Sequence, residues 1–376
     1  MKLRQFNACL AALILGLIIL TGCSAGGSLP ESQRLAGQAR VNMRSGNTYM
    51  NYEEYDLALE RYLEVIADSP KHIEALKKTG DIYFYYAEQQ PAQAEKYYTD
   101  AFLHYEQAIA AYEEISGKGS FPEFKEFADD AELKRRAAWA RLFKVGQEKF
   151  SNQQIQEALD LFNNLSELTP DSTNVYIMIA SIYQEKEEFD TAAGYFEKIA
   201  GIDKNDTVSR QNLALYHVNQ QNFPEAVKWY QEAAEIEPDN PDYYYYMGLV
   251  YRDMDDKTDE AIEAFEKAFE LDNQFNDAIV NAGFTAFESK RFAKAAELFK
   301  QSLVLEPEDE EILLFLLTAL QQEEEYADMF EYARKWYDLN NESVEAVQFV
   351  ILSAYRLGKT DVQEEFLQIL DRIENP

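Results

Sequence analysis

The side chains able to do chemistry are few in this sequence, the carboxylates excepted. Histidine occurs only as His72, His104 and His217, and no two of them share the spacing of a metal-ligand pair. His217 falls where Tyr183 and Tyr251 stand in neighbouring stretches, so it reads as a packing residue. Gly117-Lys118-Gly119-Ser120 has the ending of a phosphate-binding loop. However, Tyr112 stands where the first glycine is needed and no strand precedes it, which leaves a flexible linker. Asp253, Asp255, Asp256 and Asp259 are spaced rather like calcium ligands, but Lys257 takes a ligand position and the turn glycine is missing. Among 68 acidic residues no pair stands out as an acid and base, and no nucleophile has a base at a matching spacing. These residues yield no catalytic site, no metal site and no cofactor, and they argue against an enzyme.

The two cysteines tell more. Lys2 and Arg4 precede an apolar run of thirteen residues, Ala8 to Leu20, and Leu20-Thr21-Gly22-Cys23 follows at once. As a helix at ~1.5 Å per residue that run would span roughly 20 Å, short of the ~30 Å hydrocarbon core, so a cleaved export signal fits better than a membrane span. The tetrapeptide resembles the lipobox of bacterial lipoproteins; the alternative is an ordinary signal with an incidental cysteine. The resemblance implies a signal peptide over 1–22, acylation of the Cys23 thiol and a tether over 23–38. Ser24 after the cysteine, in place of Asp, implies the outer membrane, with the chain facing the periplasm. Cys9 would leave with the signal, and Cys23 alone can form neither an internal disulfide nor a thiolate metal cluster.

Charge narrows the partners. The chain has 35 basic and 68 acidic residues, a net charge of −33. Such a protein does not bind nucleic acid through its phosphates, and anionic lipid repels its body, so membrane contact would run through the N-terminal lipid only. The charge is either a solvated surface or a selector of basic partners; net charge alone does not separate the two. Apolar residues at 47% place the chain among folded proteins.

The elements that would position any site follow from a repeat. Ala158, Ala192, Ala226, Ala261 and Ala295 recur at intervals of 34 or 35 residues, each followed four residues later by an aromatic: Phe162, Phe196, Tyr230, Phe265 and Phe299. Gly146, Ala180, Ala214, Gly248 and Gly283 keep the same spacing, and Pro170, Pro238 and Pro307 close three of the units. Within each unit the apolar residues step by three and four, as in Tyr176-Ile179-Ala180-Tyr183, so each unit is a pair of amphipathic helices. Small residues mark where two helices approach most closely, and the aromatic fills the space beside them.

These units resemble tetratricopeptide repeats, most closely at Tyr244-Met247-Gly248-Tyr251 with Ala261, Phe265 and Ala268. The resemblance extends back to Gly46, Tyr49, Ala58, Tyr62 and Pro70. It implies an all-α fold: a right-handed superhelical solenoid of about nine helix pairs after the lipoprotein signal peptide. The expected divisions are 39–115 for two units, the second with a lengthened helix from Pro91, since Ala101 and Tyr105 come nine residues late. Then come 116–138 for a linker and an extended helix, 139–309 for the regular array, and 310–376 for degenerate units and a cap. In the degenerate part Met329 and Ala333 take the alanine and aromatic positions.

In this family the first helices line a concave groove. Carried over position by position, the groove residues are Asn174, Ile177, Met178 and Ser181, then Gln211, Asn212, Leu215 and Asn219. Tyr245, Leu249 and Arg252 follow, and then Val280, Asn281, Phe284 and Phe287. Amides beside apolar residues suit a protein partner's extended segment, the alternative being that they complete packing between repeats. The lysine-and-asparagine clamp by which some members hold a chaperone's terminal carboxylates is absent, because Met43 precedes Asn47 and Lys77 precedes Asp81. The expected function is a lipid-anchored scaffold assembling a secretion, pilus, outer-membrane or exopolysaccharide-export complex. The rival reading is a lipoprotein that binds peptidoglycan or polysaccharide, or that regulates a cell-wall enzyme, with the Tyr243 to Tyr246 rings stacking on sugars.

Overall fold

Eighteen α-helices and two short 3-10 turns make up the regular structure of the computed structural model, which describes residues 29–119 and 121–375; no strand occurs among the described residues. The signal segment, Cys23 and the start of the tether lie outside the described residues. The chain divides into two compact units, one ending at Pro170 and the other beginning at Asp171.

The first unit contains α1 (Gly37–Asn51), α2 (Tyr55–Asp68), α3 (Ile73–Gln89), α4 (Ala94–Ser116), α5 (Pro122–Ser151) and α6 (Ile155–Leu168). The second contains α7 (Thr173–Glu185), α8 (Phe189–Ile202), α9 (Thr207–Asn219), α10 (Phe223–Ile236), α11 (Pro241–Arg252) and α12 (Thr258–Leu271). It continues with α13 (Asn276–Glu288), α14 (Phe292–Leu305), α15 (Glu310–Gln322), α16 (Tyr326–Leu339), α17 (Val344–Arg356) and α18 (Thr360–Glu374). Helices pair in order, giving three pairs and six, the nine that the periodicity implies, and each helix packs mainly on its neighbours in sequence.

The small-residue markers work as close-approach points. A Cβ built on Gly46, Gly80, Gly146, Gly248 or Gly283 would come within 2.6–2.7 Å of the ring of Tyr62, Tyr105, Phe162, Phe265 or Phe299 respectively. In these five pairs glycine lets the ring of the second helix lie on the backbone of the first. Tyr105 reaches Gly80 despite coming nine residues late, because the turn Pro91–Gln93 and extra helix absorb the insertion. The lengthened α4 packs along α5, burying Ala101, Tyr105, Ala108, Ala111 and Ile115 with Phe124 and Ala131. α5 is a single helix of 30 residues and runs through position 138 without a break.

Two backbone features repeat with the helices. Glu53, Gln153, Glu187, Gln221, Asp256, Lys290 and Glu324 all have φ between 56° and 62°, and Gly358 has φ 68°. Each ends the first helix of a pair in the left-handed conformation that reverses the chain. The series continues through Glu324 and Gly358, so the last two pairs keep the turn geometry although their side-chain markers are gone. There Met329 and Ala333 are fully buried beside Trp336, at 4% exposure. Several first helices are also capped. His72 Nδ1 accepts from the Ala75 N–H at 3.2 Å, Asp206 from Ser209 at 2.7 Å and Ser343 from Ala346 at 3.1 Å. The far end of the tether segment is fastened here too. Gln33 is buried, accepting from the Ile73 N–H at 3.0 Å and donating to the Lys71 carbonyl at 2.6 Å.

Candidate functional site

All fifteen groove residues lie on α7, α9, α11 and α13, the first helices of the second unit's first four pairs. Only Arg252 among them is charged, although residues 171–376 hold 17 basic and 44 acidic residues. Most of the acidity of this unit lies elsewhere, on second helices and turns, with the few first-helix carboxylates such as Glu185, Asp242 and Asp277 near helix ends.

Their surroundings divide them into two kinds. Phe284 and Phe287 pack edge-on against Phe315 at ring distances of 4.8 and 5.2 Å, and Phe284 meets Phe299 at 5.4 Å. Tyr245 lies 4.9 Å from Phe275 and 5.7 Å from Phe265. With Leu249 and Val280 these rings fill space between successive pairs. Asn174, Ile177, Leu215, Asn219 and Arg252 are exposed, and Met178, Ser181, Gln211, Asn212 and Asn281 are half-buried. Ser181 Oγ donates back to the Ile177 carbonyl at 2.9 Å.

The two central asparagines bridge neighbouring first helices. Gln184 Nε2 donates to Asn212 Oδ1 at 3.2 Å, and Asn212 Nδ2 donates to the Val208 carbonyl at 2.9 Å. Arg252 Nη1 donates to Asn281 Oδ1 at 2.9 Å, and Asn281 Nδ2 donates to the Asp277 carbonyl at 2.8 Å and to the Tyr245 hydroxyl at 3.4 Å. Each amide therefore already ties two helix pairs together.

The tyrosine run points in several directions. Tyr243 is buried with its hydroxyl on Glu237 at 2.9 Å, and Tyr246 stacks on Tyr230 at 5.6 Å and 17°. Burial pushes the Tyr230 phenol up to about 12. None of the four rings is exposed.

A pocket of about 220 Å³ opens between α7, α8 and α9. Three groove residues named from sequence, Asn212, Leu215 and Asn219, line it with Gln184, Phe189, Ala192, Ala193, Phe196, Tyr216 and Gln220. Sequence reasoning missed Phe189 and Tyr216. Phe189 opens its second helix as Ile155, Phe223 and Phe292 open theirs, so the signal was its place in the 34-residue period. Its exposure of 52% was not readable there.

No group of three His, Cys, Asp or Glu side chains converges among the described residues as a metal site would require. In the acidic loop, Lys257 pairs with Glu260 at 2.5 Å. Asp259 is held by Arg291, whose hydrogen bond keeps the Asp259 carboxyl below its ordinary range. Among the described residues no helix is long and apolar enough to cross a membrane.

Known proteins share the repeat. The family model described as tetratricopeptide repeat matches residues 173–206 and 241–275, and one described as TPR repeat matches 217–255. The human mitochondrial import receptor subunit TOM70 is 25% identical over 170 residues, covering 43% of this chain and 28% of the relative. Hsp70-Hsp90 organizing protein 1 of Glycine max is 31% identical over 94 residues, covering 25% of this chain and 16% of the relative. The chain thus spans less than a third of either relative's length. Among solved structures, the C-terminal part of a TPR repeat-containing protein from Cytophaga hutchinsonii is 18% identical, with a TM-score of 0.44, covering 61% of this chain and 95% of that one.

Proposed function

From the premise that this chain is a tetratricopeptide-repeat protein, a scaffold for protein–protein interaction, we propose that the first-helix face of its second unit holds an extended segment of a partner protein. The observation that carries this reading is the near-neutrality of that face, with fourteen of its fifteen residues uncharged in a strongly acidic unit. A neutral face can be desolvated without stranding charges, and amides can exchange their internal bonds for those of a peptide backbone. The names of the two relatives, a mitochondrial import receptor subunit and an Hsp70-Hsp90 organizing protein, are in keeping with a protein partner. Tyr243 is buried, Tyr245 packs on Phe275 and Tyr246 stacks on Tyr230, so three of the four rings are engaged internally, which favours the protein partner over a sugar stacked on this run.

We propose further that the scaffold is lipid-anchored through Cys23 in a bacterial envelope, most consistently at the outer membrane facing the periplasm. There it would serve the assembly of an export, pilus or outer-membrane complex. Leu20-Thr21-Gly22-Cys23 and Ser24 support this. Cys23→Ala should abolish labelling by a fatty-acid analogue; retained label would refute the anchor. A photo-crosslinking amino acid at Ile177 or Leu215 should capture a discrete protein, whereas the same group at Glu263 on α12 should not. Changing both Asn212 and Asn281 to alanine should lower partner recovery by about ten- to a thousandfold, after correction for the small stability lost with the two bridges. Equal capture from Glu263, or unchanged recovery by the double variant, would remove the groove reading.

A further inference from the structure

The pocket between α7, α8 and α9 carries more than the general groove reading on which this inference rests. Its floor is Ala192, Ala193 and Phe196, and its walls are Phe189 and Leu215, which remain 52% and 51% exposed. Two large apolar side chains half-open to water on either side of a cleft form a seat for an apolar side chain. At its mouth the side-chain amides of Asn219 and Gln220 have no hydrogen-bond partner among the described residues, so they are available to a peptide backbone.

The charge beside the pocket is one-sided. The turn that leads into Phe189 reads Glu185-Lys186-Glu187-Glu188, with Asp190 directly after the ring, and all of these are exposed. Lys186 pairs with Glu188 at 2.5 Å, and Asp190 accepts from the hydroxyl of Tyr216, a lining residue, at 2.8 Å. Glu185 and Glu187 have no ion-pair partner among the described residues. Across the pocket, α9 brings no cation to offset them. Its one basic side chain outside His217 is Arg210, which is buried against Glu232 at 3.4 Å and the Asp206 carbonyl at 2.5 Å. We infer that this pocket selects a segment in which an apolar side chain, seated between Phe189 and Leu215, stands next to a lysine or arginine facing Glu185 and Glu187. An acidic neighbour would meet like charge there and be rejected.

The test selects peptides from a random nonapeptide library displayed on phage, with the full chain as bait, at low and at high salt. The expected result is enrichment of an apolar residue adjacent to Lys or Arg, favoured about tenfold over the same residue beside Asp or Glu at low salt and much less at high salt. Leu215→Ser, an exposed position that should leave the melting temperature unchanged, should remove the apolar preference. Glu185→Gln combined with Glu187→Gln should keep that preference and lose the basic one. Enrichment indifferent to neighbouring charge overturns the inference. So does enrichment that survives Leu215→Ser but falls with Asn281→Ala, which leaves the groove reading standing with its anchor elsewhere. No enrichment over bait-free beads, together with no crosslinked protein from Ile177 or Leu215, removes the groove reading and this inference with it.

Discussion

Glu74, Lys77, Lys78 and Asp81 in the first unit occupy the same repeat positions as Asn174, Ile177, Met178 and Ser181 in the second. In the first unit those positions are locked into a charged network. Lys77 Nζ contacts Asp81 at 2.8 Å and also pairs with Asp130, and Lys134 reaches Asp81 at 2.8 Å. Lys78 donates to Asn47 at 2.9 Å, and the hydroxyls of Tyr62 and Tyr105 bond to Asn47 and Asp81 at 2.7 and 3.0 Å. Burial alone would lower the Lys77 pKa, but Asp81 and Asp130 outweigh it and raise it. In the second unit the rings at the glycine contacts are Phe265 and Phe299, with no hydroxyl to satisfy, and the four matching residues on α7 are uncharged, with Asn174 and Ile177 exposed. Residues 1–170 carry 18 basic and 24 acidic side chains, against 17 and 44 in 171–376. One backbone plan therefore holds two kinds of first-helix face, one that satisfies itself and one that leaves apolar and amide groups for something else.

That contrast can be broken first through the cores. Phe265 is fully buried against Gly248, so Phe265→Ala should destabilise the second unit by roughly 3–5 kcal/mol. Coupling in a repeat array runs between neighbours, so lost hydrogen-exchange protection should centre on α11 to α14 while α1 to α6 keep theirs. Uniform loss throughout the chain would show that the two units unfold as one.

The paired positions give a sharper test. Lys77→Ala leaves Asp81 and Asp130 to share Lys134 alone and should cost about 1–3 kcal/mol, because the Lys77 side chain is only 12% exposed within the network. Ile177→Ala, at the matching position, should change stability by about 0.5 kcal/mol or less, since Ile177 is exposed. Urea unfolding of both variants measures the difference; equal losses would mean that the open face is structural as well.

The smallest expected effect is a pH response confined to the first unit. Burial lowers the pKa of His72 below its ordinary 6.5, and its neutral Nδ1 caps α3. Because the folded state disfavours the proton, this stability is complete above pH 6.5 and is lost as the pH falls from there through the lowered folded pKa. The loss should be about 1 kcal/mol, the worth of a helix cap. His72→Asn should flatten it, while the second unit, capped by Asp206, Asn240, Asp309 and Ser343, should show no such change in that window. Hydrogen exchange at pH 7.5 and 5.5 compares the two.

Much of the architecture was legible in the residues. The spacing of Gly46, Gly146, Gly248 and Gly283 from their aromatics determines the helix pairs that carry them, because the contact of ring and glycine lies within one pair and needs nothing distant. The same local rule located the nine-residue insertion before Tyr105. It did not reveal that Pro91–Gln93 would absorb it and still return the ring to Gly80, since that depends on how α4 lies on α3 and α5. The groove positions were also readable as a phase, yet their roles were decided only by the neighbouring pairs. Phe284 and Phe287 are taken up by Phe315 of the next first helix, and the amides of Asn212 and Asn281 by Gln184 and Arg252 of the preceding one. Phe189 and Leu215 stay open because α7, α8 and α9 bring nothing large enough to cover them. A repeat sequence specifies what each helix presents; whether a presented side chain is consumed or left free is settled by what the adjacent repeat brings within reach.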